Sequence, residues 1–212
     1  SAGRKDEALR VLEQMVATGA GLHPRQKDGY GALIDNAKYQ ALIERIKREN
    51  PPVRGATTAF ELAESDLVPE GIAWSNTQKR FYLGSVKKKL VAVDQKGTTR
   101  ELVPAGRDGL GIVLGLRVDE ARQELWAVSH GPAKGGDVNG VFRYRLPDGA
   151  LLSRVPIAVQ TADLLNDVAV TPDGAAYVTS TNEGALYRIA RAARTAEYFL
   201  PPKSLPDPNG IA

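Results

Sequence analysis

Four stretches of this 212-residue chain repeat one pattern. Glu70-Gly-Ile-Ala-Trp74, Leu114-Gly-Leu-Arg-Val118, Asn166-Asp-Val-Ala-Val170 and Asn209-Gly-Ile-Ala212 each follow a loop and read as a short, mostly apolar strand. In the first three, a turn comes next and then a second strand, at residues 80–85, 124–129 and 176–180. The starting positions are 44, 52 and 43 residues apart, and a recurrence of roughly 40–50 residues is the period of a propeller blade. The fourth copy is cut off after four residues. The expectation is therefore a β-propeller fragment with about three blades and the start of a fourth, truncated at the C-terminus.

Each blade is expected to hold four antiparallel strands. The first takes residues 71–74, 81–85, 89–94 and 98–102, and the second 114–118, 124–129, 140–146 and 151–157. The third takes 166–170, 176–180, 185–189 and 196–200. Residues 58–62 form a candidate strand ahead of them. The turns Gln95-Lys-Gly97, Pro147-Asp-Gly149 and Pro172-Asp-Gly174 fall between strands, where glycine and proline belong. Trp74 and Trp126 take near-equivalent blade positions and are expected to pack between blades.

The first fifty residues carry a different period. Ala8, Leu9, Leu12, Met15 and Val16 recur at spacings of three, four and seven, which stacks them on one helix face. Gly19 and Gly21 are expected to end that helix. A second helix is predicted over 36–48 with Asn36 as N-cap and Tyr39, Leu42, Ile43 and Ile46 as its buried stripe. Pro51-Pro52 stops it. The phrase from Asp6 to Gly19 resembles the tail of a tetratricopeptide-type array, whose helical pairs cannot bury their faces alone. Either more repeats precede Ser1 or this pair caps the propeller. The predicted organisation is a helical segment over 1–52, a surface for protein contact, followed by the partial propeller over 53–212.

Composition narrows the chemistry. With no cysteine there is no disulfide, zinc–thiolate site or thiol nucleophile. A net charge of +3, spread along the chain, argues against a nucleic-acid partner. Lys87-Lys-Lys89 is the densest basic cluster and reads as a solvated turn, with a phosphate-binding patch as the alternative. No run approaches the roughly 18–20 apolar residues that span a bilayer, so no membrane partner is expected. The compartment stays open between periplasmic or secreted and cytoplasmic, since the chain begins at Ser1 without a leader.

Inner propeller strands line a central channel. The residues opening those strands are Glu70, Leu114, Asn166 with Asp167, and Asn209. Three of the four positions hold hard oxygen donors, and a carboxylate with amide oxygens converging on one axis suits calcium or magnesium, completed by water. The competing explanation is local, since Asn and Asp at strand starts often bond nearby backbone. Ser85, Ser129 and Ser180 recur at second-strand ends and read as hydrogen bonders, not nucleophiles. His130 opens a glycine-rich loop, Gly131-Pro-Ala-Lys-Gly-Gly136, and is a candidate for substrate contact, whereas His23 reads as structural or solvent exposed.

Pro69-Glu-Gly-Ile-Ala-Trp74, Leu165-Asn-Asp-Val-Ala-Val-Thr-Pro-Asp-Gly174 with Tyr177-Val-Thr-Ser180, and Pro208-Asn-Gly-Ile-Ala212 resemble the senescence marker protein/gluconolactonase family, the regucalcin-like six-bladed propellers. The resemblance covers residues 60–212, about half of a full propeller; strictosidine synthase-like proteins are architectural relatives. It implies a divalent cation, calcium foremost with magnesium, zinc or manganese as alternatives, held by Glu70 and Asn209; the strand-start reading adds Asn166 as the third candidate ligand. It implies Asn166 as a contact to substrate or metal-bound water, and a metal-dependent hydrolase of a small-molecule lactone or ester. Asp167, from its strand-start position, and His130, from its loop, join Asn166 as candidate substrate contacts. A divalent ion would polarise the ester carbonyl while a carboxylate takes a proton. The Asp that the family uses as base would lie beyond Ala212, so no catalytic residue is expected within the chain and the fragment is expected to be inactive. A non-catalytic propeller scaffold whose helical segment docks a partner is the alternative, and a strictosidine synthase-like enzyme a third.

Overall fold

The computed structural model describes residues 3–18, 24, 29–49, 55–131, 139–158 and 164–212. The chain forms two compact units, Ser1–Thr57 and Thr58–Ala212. Gly19, Gly21, His23, Pro51-Pro52 and most of the glycine-rich loop after His130 lie outside the described residues.

The first unit is an α-helical pair. Helix α1 (Gly3–Ala17) and helix α2 (Ala37–Glu49) are joined through a short 3-10 turn at Tyr30–Leu33. Asn36 caps α2 as its sequence suggests, its Oδ1 accepting from the N–H groups of Lys38 (2.9 Å) and Tyr39 (3.3 Å). Leu9, Leu12, Val16, Leu33, Tyr39, Leu42 and Ile46 form one apolar cluster. Met15 departs from the expected stripe and is 40% exposed. At 100° per residue it lies away from the line through Leu9, Leu12 and Val16, and two short helices have only one seam to bury.

The second unit is built of three four-stranded antiparallel sheets, each a meander in sequence order. Sheet one holds β1 (Pro69–Ser75), β2 (Arg80–Ser85), β3 (Leu90–Asp94) and β4 (Thr99–Val103). Sheet two holds β5 (Ile112–Asp119), β6 (Glu124–His130), β7 (Gly140–Arg145) and β8 (Leu151–Pro156). Sheet three holds β9 (Leu165–Val170), β10 (Ala176–Ser180), β11 (Ala185–Ile189) and β12 (Glu197–Leu200). Each predicted blade strand exists, with ends shifted by one or two residues. Turn chemistry agrees with the sequence: Asp148 accepts from Ala150 N–H and the Arg145 guanidinium, and these bonds push its carboxyl down to about 2. Residues 58–62 form no strand. Phe60 and Leu62 instead pack with Leu67 on one face of sheet one, against Phe81, Leu83, Val91 and Val93.

Sheets pack face to face in chain order. Tyr82, Leu90 and Ala92 of sheet one meet Val113, Leu116, Phe142 and Tyr144 of sheet two in one core cluster. Trp126, Val128 and Val141 of sheet two meet Val168, Val178 and Tyr187 of sheet three in another. Strand β3 sends Leu90 and Ala92 to sheet two, and Val91 and Val93 to the 60–67 segment. Its unbroken apolar run is the mark of a strand buried on both faces. Each large side chain so buried contributes roughly 1.5–3 kcal/mol. Trp126 packs between sheets as expected, with the Arg143 guanidinium 5.3 Å from its ring. Trp74 does not; it lies half-buried on its own sheet, 4.6 Å from the Phe81 ring.

Polar contacts pin the same seams. Arg191 grips both oxygens of buried Glu124 at 2.9 Å, tying sheet three to sheet two. Gln78 and Gln123 pair at 2.7 Å between sheets one and two. The basic cluster is paired off, Lys87 with Asp66 and Lys89 with Glu64.

Candidate functional site

The first strand of every sheet starts with a β-bulge, and the bulges carry the residues singled out above. In β1, Pro69 faces Ser85 and Gly71 faces Gly84, so Glu70 is the extra residue. In β5, Leu114 and Gly115 stand opposite Val128 alone. In β9, Asn166 and Asp167 stand opposite Thr179 alone. A bulge breaks the strict alternation of side chains and re-aims one of them. The Asp167 N–H, displaced from the ladder, is satisfied by the Thr179 hydroxyl at 3.0 Å.

Two glycines let the bulges approach one another. A side chain on Gly71 would place its Cβ 1.9 Å from the Leu114 carbonyl oxygen, and one on Gly115 would place it 2.3 Å from Asp167 Oδ1. Glycine is used here because backbone must pass backbone.

The strands β1, β5 and β9 and Asn209 line an open cavity of about 550 Å³. Glu70, Asn166, Asp167 and Asn209 all line it, with Leu114, Gly115, Leu116, Arg117 and Ile72. Residues up to 139 positions apart in sequence thus share one space. His130 is outside that lining; it ends β6, paired with Ile112 of β5.

The Asn166 amide nitrogen donates to Thr181 Oγ1 at 3.1 Å, which leaves its Oδ1 as the acceptor available to a cavity ligand. Asp167 is otherwise engaged. Its Oδ1 accepts from Val168 N–H (2.8 Å) and its Oδ2 from Ile211 N–H (3.0 Å). Glu70 is solvent-facing and makes no such bond among the described residues. Among the described residues no three His, Cys, Asp or Glu side chains cluster for a metal ion. The donor set the cavity offers is therefore one carboxylate and two amide oxygens. Hard oxygen donors of that kind fit calcium or magnesium and would bind weakly, since affinity rises with ligand charge.

The fourth repeat copy is not a strand. Pro208–Ala212 runs without a sheet partner, and side chains take several of its main-chain groups. The three serines are all fully buried. Ser85 Oγ donates to the Leu67 carbonyl, Ser129 Oγ accepts from Gly111 N–H at 2.9 Å, and Ser180 bonds Glu183 at 3.3 Å. None lines the cavity. Sequence reasoning found the convergent positions from the repeat but missed the bulges; the sign of them was an apolar alternation interrupted at each strand start.

No protein family and no curated protein matches this sequence. Among solved structures, virginiamycin B lyase from Staphylococcus aureus superposes on 67% of this chain and 44% of its own length, with 17% identity and a TM-score of 0.51. A gluconolactonase from Xanthomonas campestris matches 64% of this chain and 49% of its own, with 19% identity and a TM-score of 0.46. The chain spans about half or less of the length of these structures. The likeness to the lyase is one of fold: three antiparallel four-stranded sheets in a propeller-like arrangement. Among the described residues no helix is long and apolar enough to cross a membrane.

Proposed function

We propose that the cavity binds a divalent cation, calcium foremost, through the Glu70 carboxylate and the side-chain oxygens of Asn166 and Asn209, in the service of hydrolysing a lactone or related small ester. The observation that carries this reading is the shared cavity, whose lining brings together the Glu70 and Asp167 carboxylates and the Asn166 and Asn209 amides from three separate repeats. The motif resemblance supplies the reaction class. Bound there, a cation would act as a Lewis acid on an ester carbonyl. The chain's own residues supply the frame: Thr181 fixes the Asn166 amide, and the bulges turn Glu70 and Asn166 off the ladder.

Binding without turnover by this chain is a second reading with its own support. A hydrolytic base must reach a proton, and of the two acids lining the cavity, Asp167 has both oxygens occupied by main-chain N–H groups. Glu70 then serves the cation, and Asp167, whose two oxygens each already accept a main-chain N–H, is held in a structural role.

Isothermal titration of calcium chloride into the purified 212-residue chain tests the first claim. A dissociation constant on the order of 10⁻⁴–10⁻³ M is expected for so low a ligand charge. Glu70→Gln or Asn209→Ala should abolish the heat, and unchanged binding in both would end the cation reading. Turnover of gluconolactone by the same chain is expected to be undetectable, and measurable hydrolysis would reject the second reading.

A further inference from the structure

The segment that carries Asn209 is held by four side chains drawn from two different sheets. Thr181 Oγ1 donates to the Pro208 carbonyl at 2.8 Å and Thr179 Oγ1 to the Asn209 carbonyl at 2.6 Å. Both main-chain groups of Ile211 are gripped: Asp167 Oδ2 accepts its N–H at 3.0 Å, and Arg117 Nη2 donates to its carbonyl at 2.8 Å. Arg117 stands on β5 while the other three stand on or just beyond β9 and β10. The Arg117 Nε also donates to the Val168 carbonyl at 3.4 Å, so the guanidinium links β5, β9 and the 208–211 segment at once.

We infer that Arg117 is a positioning residue: with Asp167 it clasps Ile211 and so fixes Asn209 at the cavity, acting on the ligand set without touching the cation. This rests on the cation reading for its consequence, though the clasp itself does not. Asp167, expected from sequence to contact substrate, is in this inference the second half of the clasp.

Charge alone predicts the opposite of what the clasp predicts, which makes Arg117 decisive. A guanidinium lining a cation cavity repels the cation, so removing it by charge alone would tighten calcium binding. Removing the clasp would loosen Asn209 and weaken binding.

The test compares the wild-type chain with Arg117→Met, Arg117→Lys and Thr181→Val, by calcium titration and by hydrogen–deuterium exchange at the Ile211 amide. Arg117→Met should weaken calcium at least fivefold and speed Ile211 exchange at least tenfold. Arg117→Lys keeps the charge but not the two-point fork and should recover only part of both. Thr181→Val, which leaves both charged groups intact but also releases the Asn166 amide, should speed Ile211 exchange, and that readout alone bears on the clasp. Tighter or unchanged calcium binding in Arg117→Met, or wild-type exchange at Ile211 in both Arg117→Met and Thr181→Val, would overturn the inference. If the wild-type chain takes up no calcium, the cation reading falls and the exchange data alone judge the clasp.

Discussion

Asp167 occupies the space that a side chain on Gly115 would need: a Cβ at Gly115 would stand 2.3 Å from Asp167 Oδ1 and 2.5 Å from Asp167 Cα. The inner strands of sheets two and three therefore touch through a glycine on one side and a bulged acid on the other. Gly71 plays the same part between sheets one and two, 1.9 Å from the Leu114 carbonyl oxygen by the same measure.

Gly115→Ala should accordingly cost about 1–3 kcal/mol, the usual penalty of overpacking a tight site. Gly71→Ala should cost at least as much, because the obstacle is backbone and cannot swing away. Urea unfolding of each variant measures this. A midpoint equal to wild type in both would mean the inner strands do not approach as closely as described.

Glu124 joins sheets two and three through Arg191, with Arg143 Nε a further 3.7 Å contact. Burial pushes its carboxyl up, but the Arg191 hydrogen bonds and the charges of Arg143, Arg191 and Arg122 outweigh burial and hold it below the usual carboxylate range. A group depressed in the folded state stabilises the fold fully above its unfolded value, about 4.3. That stabilisation is lost as pH falls through the lower folded value. Stability should thus decline on acidification below about pH 4.3, and Glu124→Gln should flatten part of that decline. At pH 7, Glu124→Ala should cost about 3 kcal/mol, the low end for breaking a buried pair because Arg191 is about a third exposed. Thermal melts from pH 3 to 7 check both; parallel pH curves for wild type and Glu124→Gln would refute the assignment.

Ser129 accepts the Gly111 N–H at 2.9 Å while fully buried. Ser129→Ala would leave that donor unsatisfied and should cost about 1–3 kcal/mol. Calcium titration should not change, since Ser129 lies outside the cavity lining. A large loss of calcium binding at unaltered stability would place this serine in the site instead.

The helical pair and all twelve blade strands were legible because periodicity is a local property. Leu90-Val-Ala-Val93 shows its two buried faces in its composition, and Asn36 shows its cap in its residue type. The candidate donors Glu70, Asn166 and Asn209 were legible for a related reason, since a repeated unit returns the same position to the same axis. Met15, Trp74 and residues 58–62 were misread where a pattern had to be matched to a neighbour: which apolar residues are covered depends on what packs there, and Phe60 with Leu62 covers sheet one without pairing to it.

The amino-acid order by itself determined which segments become the blade strands, to within one or two residues, how those strands group into sheets and which oxygen-bearing residues stand near the start of the inner ones. The role of each oxygen was decided only in three dimensions. Asp167 is an acid at a strand start like any other until Val168 and Ile211 present their N–H groups to it, and Asn209 gains a fixed place only when Thr179, Thr181, Asp167 and Arg117 converge on its segment. Hydrogen bonds are satisfied by proximity and angle, and residues separated by 94 positions, as Arg117 and Ile211 are, acquire both only through folding.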